Sequence, residues 1–359
     1  MKLGFGLYRH QLDDEHLRFA RQCGATHLVV HYTDYFRGNN PENRSDDQPT
    51  GGEAGWGQAG DPLALWSAQE LSSVRERAKQ HGLVLHALEN IDPAFWYDVL
   101  LGGPERAIQL EGLKQLLRNM AAAKIPVLGY YFSLAGVAGR IKGPFARGGA
   151  ESVGLSGAVD QTPIPNGMVW NMVYEPRAPS GFLPACSKEE LLARRQVFLD
   201  QLLPVAEEVG VTLAAHPDDP PVPIVRGTPR LITQPADYRR LIEQNPSPSN
   251  GFEYCLGTLG EMPMADIYAA TEDFAREGRI TYVHCRNVKG KVPHYAETFL
   301  DDGDLDVPRL LRILDANGFD GVIIPDHTPL MSCGGWAAGM AYAMGYLRRT
   351  LDEISPPQP

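Results

Sequence analysis

Short apolar runs alternate with longer amphipathic stretches along the whole chain. The runs are LGFGLY (3–8), HLVVHY (27–32), LVLHALEN (83–90), IPVLGYYF (125–132), VTLAAHP (211–217), GFEYCLGT (251–258), ITYVHCRN (280–287) and GVIIPDH (321–327). Each is rich in β-branched or aromatic residues and runs into loop-like sequence, which predicts buried parallel strands. Between them, segments such as DDEHLRFARQCG, SAQELSSVRERAKQHG, PERAIQLEGLKQLLRNMAAAK and KEELLARRQVFLDQLLPVAEEVG carry apolar and charged residues at helical spacing. Several begin at Ser, Asp or Pro and stop at Gly, as capping chemistry requires. With AAGMAYAMGYLRRTLDEI as the last helix, every strand has a helix after it. That alternation favours a closed (β/α)8 TIM barrel over an open sheet. No Gly-x-Gly-x-x-Gly follows the first strand, which lowers the nucleotide-binding alternative.

Two connections break the rhythm. Residues 33–66 are rich in Gly, Asn, Asp and Pro, and residues 133–187 carry many Gly and Pro among aromatics. Loops of this length are usually functional or disordered. Both follow a strand, so they are expected over the C-terminal face as insertions in a single domain spanning 1–359. Trp170, Tyr174 and Phe182 suggest that the second packs, as a lid over a pocket or against a second copy in a homodimer.

The 359 residues, 43% of them hydrophobic, suffice for such a barrel. No run reaches the roughly 18 apolar residues of a membrane span, and the N-terminus has no signal-peptide stretch. The expectation is a cytoplasmic protein whose five cysteines are reduced thiols. A net charge of −11 without a basic run argues against nucleic acid. An anionic small molecule remains open, because only the field inside a pocket matters. Arg226, Arg230, Arg286, Lys289 and Lys291 all follow strand ends and would make that pocket locally basic.

The chemistry lies at four strand ends. His216 closes VTLAAHP, Cys255 closes GFEYC, His284 closes ITYVHC and Asp326 closes GVIIPD. A lone histidine leaving an apolar strand is by default a satisfied core residue, and a lone buried cysteine a small hydrophobe. Parallel strands, however, bring their C-terminal ends to one edge, so four donors far apart in sequence would meet. Two imidazoles, a thiolate and a carboxylate fill the protein half of a divalent-metal site and leave room for substrate. Cys285 follows His284 and should point to the opposite face. Prolines stiffen His216-Pro217-Asp218-Asp219-Pro220-Pro221, and its acids are suited to orienting an imidazole, with Asp219 a candidate catalytic residue. His327, beside Asp326, is a candidate general acid or base.

LPVAEEVGVTLAAHPDDPP, GTPRLI, NGFEYCLG, VHCRN, GDLDV and PDH, in this order over residues 203–330, resemble the mannonate dehydratase family. The N-terminal strands resemble it weakly. The resemblance implies a xylose-isomerase-like barrel and a divalent metal, usually Mn²⁺, on His216, Cys255, His284 and Asp326. It also implies proton transfer by His327 and binding of a sugar acid by Arg286, with Arg230 and Lys289 as further cationic candidates. From ligand type alone Fe²⁺, Co²⁺ or Zn²⁺ would compete, because a thiolate is soft for Mn²⁺. The family's Arg-Pro-Asp-His-Gly is here Ile324-Pro325-Asp326-His327-Thr328. Its Gly-Tyr before the last helix has no match at Gly335-Trp336-Ala337-Ala338, and Tyr342 is out of register. Its acidic pattern after the third strand reads Glu89-Asn90-Ile91-Asp92-Pro93. The implied reaction is D-mannonate to 2-keto-3-deoxy-D-gluconate and water. The rivals are a sugar isomerase or epimerase on the same scaffold and a catalytically silent sugar-acid binding protein.

Overall fold

The protein is described from a computed structural model, in which residues 1–38, 48–49, 55–157 and 159–354 are placed. The eight apolar runs form β1 (Lys2–Tyr8), β2 (His27–His31), β3 (Val84–Glu89), β4 (Val127–Tyr130), β5 (Thr212–Ala215), β6 (Asn250–Cys255), β7 (Ile280–Cys285) and β8 (Val322–Pro325). They close into a parallel barrel in sequence order, β8 pairing back onto β1. Around it run α1 (Asp14–Gln22), α2 (Ala68–Gln80), α3 (Arg106–Ala122), α4 (Lys188–Val209), α5 (Pro235–Gln244), α6 (Ile267–Arg276), α7 (Val307–Ala316) and α8 (Gly335–Ile354). Local chemistry sets their ends. Asp13 and Ser67 accept from His16 and Glu70 backbone N–H groups, satisfying first-turn donors of α1 and α2. Ser187 and Glu190 form a reciprocal capping box on α4, which stops at Gly210 with φ 71°. Among the described residues, no helix is long and apolar enough to cross a membrane.

Alternation splits the core into two layers. Residues such as Phe5, Leu28, Val30, Phe252, Val283 and Cys285 point outward and pack under the helices. Val29, Ala87, Val127, Ala214, Tyr282, Val322 and Ile324 point inward and fill the barrel as a separate buried cluster. Cys285 therefore faces away from the barrel interior, opposite His284, as the period-two pattern predicts.

Both insertions lie over the C-terminal face. Residues 39–47 and 50–54 of the first fall outside the described residues. In the second, strands Ile141–Ala146 and Ala150–Ser156 join Asn287–Lys291 and His294–Thr298 in a four-stranded sheet. A three-stranded sheet ties Gly57–Gln58 of the first insertion to Met172–Val173 and Met168–Val169 of the second. Trp170 donates Nε1–H to the Tyr131 carbonyl and packs edge-on against Trp56, 5.3 Å between centroids. Tyr174 stacks on Tyr97 at 4.2 Å, whereas Phe182 is exposed. The second insertion is a packed cover.

Candidate active site

The inward face of the barrel becomes chemical one pleat above the apolar cluster. Two residues beyond Val29, Ala87, Ala214, Tyr282 and Ile324 stand His31, Glu89, His216, His284 and Asp326. On β6, register places Glu253 beside Tyr282 and Cys255 beside His284. On β4 the same level is Gly129, where a Cβ would collide with the Tyr282 hydroxyl and a Glu253 carboxylate oxygen. This layer floors a cavity of about 70 Å³ under the insertions.

The four expected donors converge. His216, Cys255 and His284 offer ligand atoms all within 4.8 Å of one another. Asp326 adds Oδ1 at 3.5 Å from His284 Nδ1 and Oδ2 at 3.9 Å from Cys255 Sγ. Each imidazole is anchored through one nitrogen only. His216 Nδ1 lies 2.6 Å from the Pro217 carbonyl, and His284 Nε2 lies 3.0 Å from Glu89 Oε2. That leaves His216 Nε2 and His284 Nδ1 for the centre, and the latter is buried without a hydrogen-bond partner. One nitrogen on an oxygen acceptor and the other directed at a shared centre is the usual arrangement of metal-binding histidines. These residues fit a divalent ion. Neither Asp218 nor Asp219 orients His216; the Pro217 carbonyl does.

The field favours positive charge. Burial would raise the Cys255 thiol, but the Arg286 guanidinium and the adjacent His216 and His284 imidazoles hold it down at about 5, a thiolate. Burial opposes a charged His284, yet Glu89 and Asp326 keep it well above its ordinary range. Glu253 is fully buried, neither carboxylate oxygen has a well-formed hydrogen bond, and burial with neighbouring Glu89 pushes it well up. Glu89 moves the other way: burial is overcome by His31 and His284. Two close buried carboxyls cannot both ionise cheaply, and the one holding two imidazoles keeps the charge.

His327 faces the cavity with Nε2 at 3.3 Å from Asp326 Oδ2 and Nδ1 at 2.7 Å from Glu297 Oε2. Asp326 and Glu297 raise it against burial. Three cationic expectations need correction. Arg286 is 1% exposed and spent on its neighbours, reaching Glu297 at 2.5 Å, Asp219 at 2.9 Å, Thr258 at 2.9 Å and Glu261 at 3.0 Å. It charges the site from behind Cys255 instead of lining it. Arg230 is wholly buried on Asp218, Ser133, Tyr131 and the Gly136 carbonyl, where it pins the start of the cover to the β5 loop. Lys289 lies on the hairpin surface with Nζ 2.8 Å from Asp302. Nor, among the described residues, is the cavity lined by a basic ring: Glu89, Asp219, Glu253 and Asp326 line it with a single guanidinium, Arg140. Asp219 does line the cavity, held by Arg286 and by the Tyr295 hydroxyl at 3.3 Å.

Sequence reasoning missed Arg140, Glu297, His31 and Glu253. Arg140 comes from the second insertion; its Nη1 reaches Glu297 Oε1 at 3.2 Å, while Nε and Nη2 have no partner among the described residues. Glu297 comes from the 294–298 hairpin strand and joins Arg140, Arg286, Gln48 and His327. His31 and Glu253 sit in runs that read as plain apolar strands, yet alternation from Val29 and from Cys255 points both inward.

Residues 182–350 match the D-mannonate dehydratase (UxuA) family model. Mannonate dehydratase 2 of Halalkalibacterium halodurans is 29% identical over 275 residues, covering 73% of this chain and 79% of that protein. Mannonate dehydratase of Geobacillus thermodenitrificans is 28% identical over 285 residues, covering 73% and 76%. The crystal structure of mannonate dehydratase from Streptococcus suis superposes with a TM-score of 0.74 at 24% identity, covering 99% of this chain and 93% of that one. D-psicose 3-epimerase of Clostridium cellulolyticum superposes more distantly, with a TM-score of 0.56 at 12% identity over 99% of both chains. These likenesses agree with a xylose-isomerase-like (β/α)8 barrel.

Proposed function

Since the chain is a divergent relative of the mannonate dehydratases, we propose that it is a metal-dependent hydro-lyase that removes water from a sugar acid. The substrate is an aldonate such as D-mannonate and the product a 2-keto-3-deoxy acid. The observation that carries the proposal is the convergence of His216, Cys255, His284 and Asp326 beside His327 at the floor of one cavity.

The C2 proton of an aldonate is poorly acidic because its neighbour is already an anion, and hydroxide leaves badly. A divalent ion on the four donors, Mn²⁺ by kinship with Fe²⁺, Co²⁺ or Zn²⁺ as alternatives, would supply Lewis acidity against that developing charge. The protein does the rest. Arg140 lines the cavity, its Nε and Nη2 without a partner among the described residues, and receives the substrate carboxylate in place of Arg286. His327, held between Glu297 and Asp326, donates the proton that turns the C3 hydroxyl into water. Asp219 keeps Arg286 and Arg140 in place (2.9 and 3.7 Å). The packed cover excludes bulk water from the reaction.

The test is a screen of aldonic acids and ketoses with metal-loaded protein, read by mass. Loss of one water to give a 2-keto acid supports the proposal. Conversion at constant mass identifies an isomerase or epimerase, and binding without conversion a sugar-acid binder; either refutes it.

A further inference from the structure

Dehydration across C2 and C3 needs two proton transfers at adjacent carbons, and His327 accounts for one. The opposite wall of the cavity holds a second histidine–carboxylate pair. His31 ends β2 directly in register with Glu89 at the end of β3, so both side chains rise from the same pleat. His31 Nδ1 lies 3.2 Å from Glu89 Oε1, with the Tyr35 hydroxyl at 3.4 Å. The Tyr8 ring stacks on the imidazole, 4.9 Å between centroids and 30° between planes, fixing its tilt. A carboxylate at Nδ1 selects the tautomer with its proton there. Nε2 then carries a lone pair, has no partner among the described residues, and belongs to a side chain that lines the cavity. The other acids there are committed. Asp219 is bound by Arg286 and Tyr295, and Glu253 lies a layer lower beneath His216 and His284.

We infer that His31 is the base that takes the C2 proton of the sugar acid, and that Glu89 positions it. This rests on the dehydratase reading. The C2–H bond breaks and its proton goes to His31 Nε2; the electron pair becomes the C2=C3 bond. The C3–O bond breaks with its pair on oxygen, which takes the His327 proton and leaves as water. The resulting enol becomes the 2-keto acid by gaining a proton at C3 as the 2-hydroxyl loses one. No oxidant or reductant is required. Burial lowers His31 below its ordinary range against the pull of Glu89, so the ring is neutral and able to accept a proton near pH 7. The same carboxylate also holds His284, so Glu89 couples the base to the metal-binding layer.

The experiment uses metal-loaded wild type, His31→Gln, His31→Ala and His327→Asn, each with the aldonate that wild type dehydrates and with its 3-deoxy-3-fluoro analogue. Fluoride leaves without a proton, so the analogue bypasses the acid but still needs the base. His31 variants are expected to keep metal content and circular dichroism, lose about 10²–10⁴-fold in rate, and stay slow on the fluoro analogue. His327→Asn is expected to recover on it, and added imidazole to restore at least part of the His31→Ala rate. His31 variants within about threefold of wild type, or recovering on the fluoro analogue, overturn this assignment alone. A wild-type protein that dehydrates no aldonate overturns the dehydratase reading itself, and this assignment with it.

Discussion

Two of the site's buried glutamates, Glu89 and Glu253, make opposite predictions. Glu89 bridges His284 Nε2 at 3.0 Å and His31 Nδ1 at 3.2 Å, accepting through separate oxygens. In Glu89→Gln one of those oxygens becomes an NH₂, which faces an imidazole N–H with another donor. Either His284 turns over, withdrawing Nδ1 from the metal centre, or the clash is relieved by misplacing His31. Loss of such an outer partner of a metal-bound histidine typically costs 10–100-fold in affinity, about 1.4–2.7 kcal/mol. Glu253 lies beside the same imidazoles, but burial and the charge on Glu89 keep its carboxyl protonated. Glu253→Gln replaces one neutral group with another of the same shape, so Mn²⁺ affinity should stay within about threefold. The assay is competition of Mn²⁺ against a chelator at pH 7 on both variants, with circular dichroism as the fold control. An equal or larger loss in Glu253→Gln would refute the reasoning, because Glu253 would then carry charge that the metal centre needs.

Further outcomes follow from the same geometry. Asp326→Asn should lose both metal and turnover, whereas His327→Asn should keep the metal and lose about 10²–10⁴-fold in rate; metal analysis beside the aldonate assay separates them. Arg140→Gln should raise KM for the aldonate well above its effect on kcat, and an unchanged KM would place the carboxylate elsewhere. Cys255→Ser should weaken metal binding and shift preference towards harder ions, read by competition between Zn²⁺ and Mn²⁺. In the metal-free protein the Cys255 thiolate absorbance should titrate at about 5 and be missing from Cys255→Ser. Because that folded value lies below the unfolded one, the thiolate's contribution to stability is complete above about pH 9 and falls away as pH drops through about 5. The Tm gap between wild type and Cys255→Ser should narrow accordingly.

Period and caps made the barrel legible. Every apolar run became a barrel strand at nearly its expected bounds, because eight runs rich in β-branched or aromatic residues, Ser and Asp N-caps and Gly stops state the same answer at each level. The four donors were legible because parallel strands share one edge. The cations were not. Whether an arginine after a strand meets a ligand or an acid depends on what returns to it. For Arg286 that is Glu261, from the turn of helix after β6, and Glu297, from a hairpin. Neither has a fixed spacing to Arg286. Arg140 sits in a Gly-rich insertion where no periodicity marks an inward face.

His31 and Glu253 were hidden differently, inside runs whose apolar character masked them. The structure supplies the missing rule: a charged residue two positions beyond an inward apolar one, at the C-terminal end of a barrel strand, points into the site. Applied to HLVVH it finds His31 from Val29, and applied to HALE it finds Glu89 from Ala87. The acidity of the layer follows from the same placement. Carboxylates that point inward from β3, β6 and β8 of one closed barrel cannot turn away from one another, so a cation, a proton or a neighbouring guanidinium must be shared among them. Arg286 sits behind the donors, Glu253 keeps its proton, and the remaining charge faces one centre. So many acids in one barrel mouth fit the proposed divalent ion at that centre, which would tie the stability of the site to its chemistry.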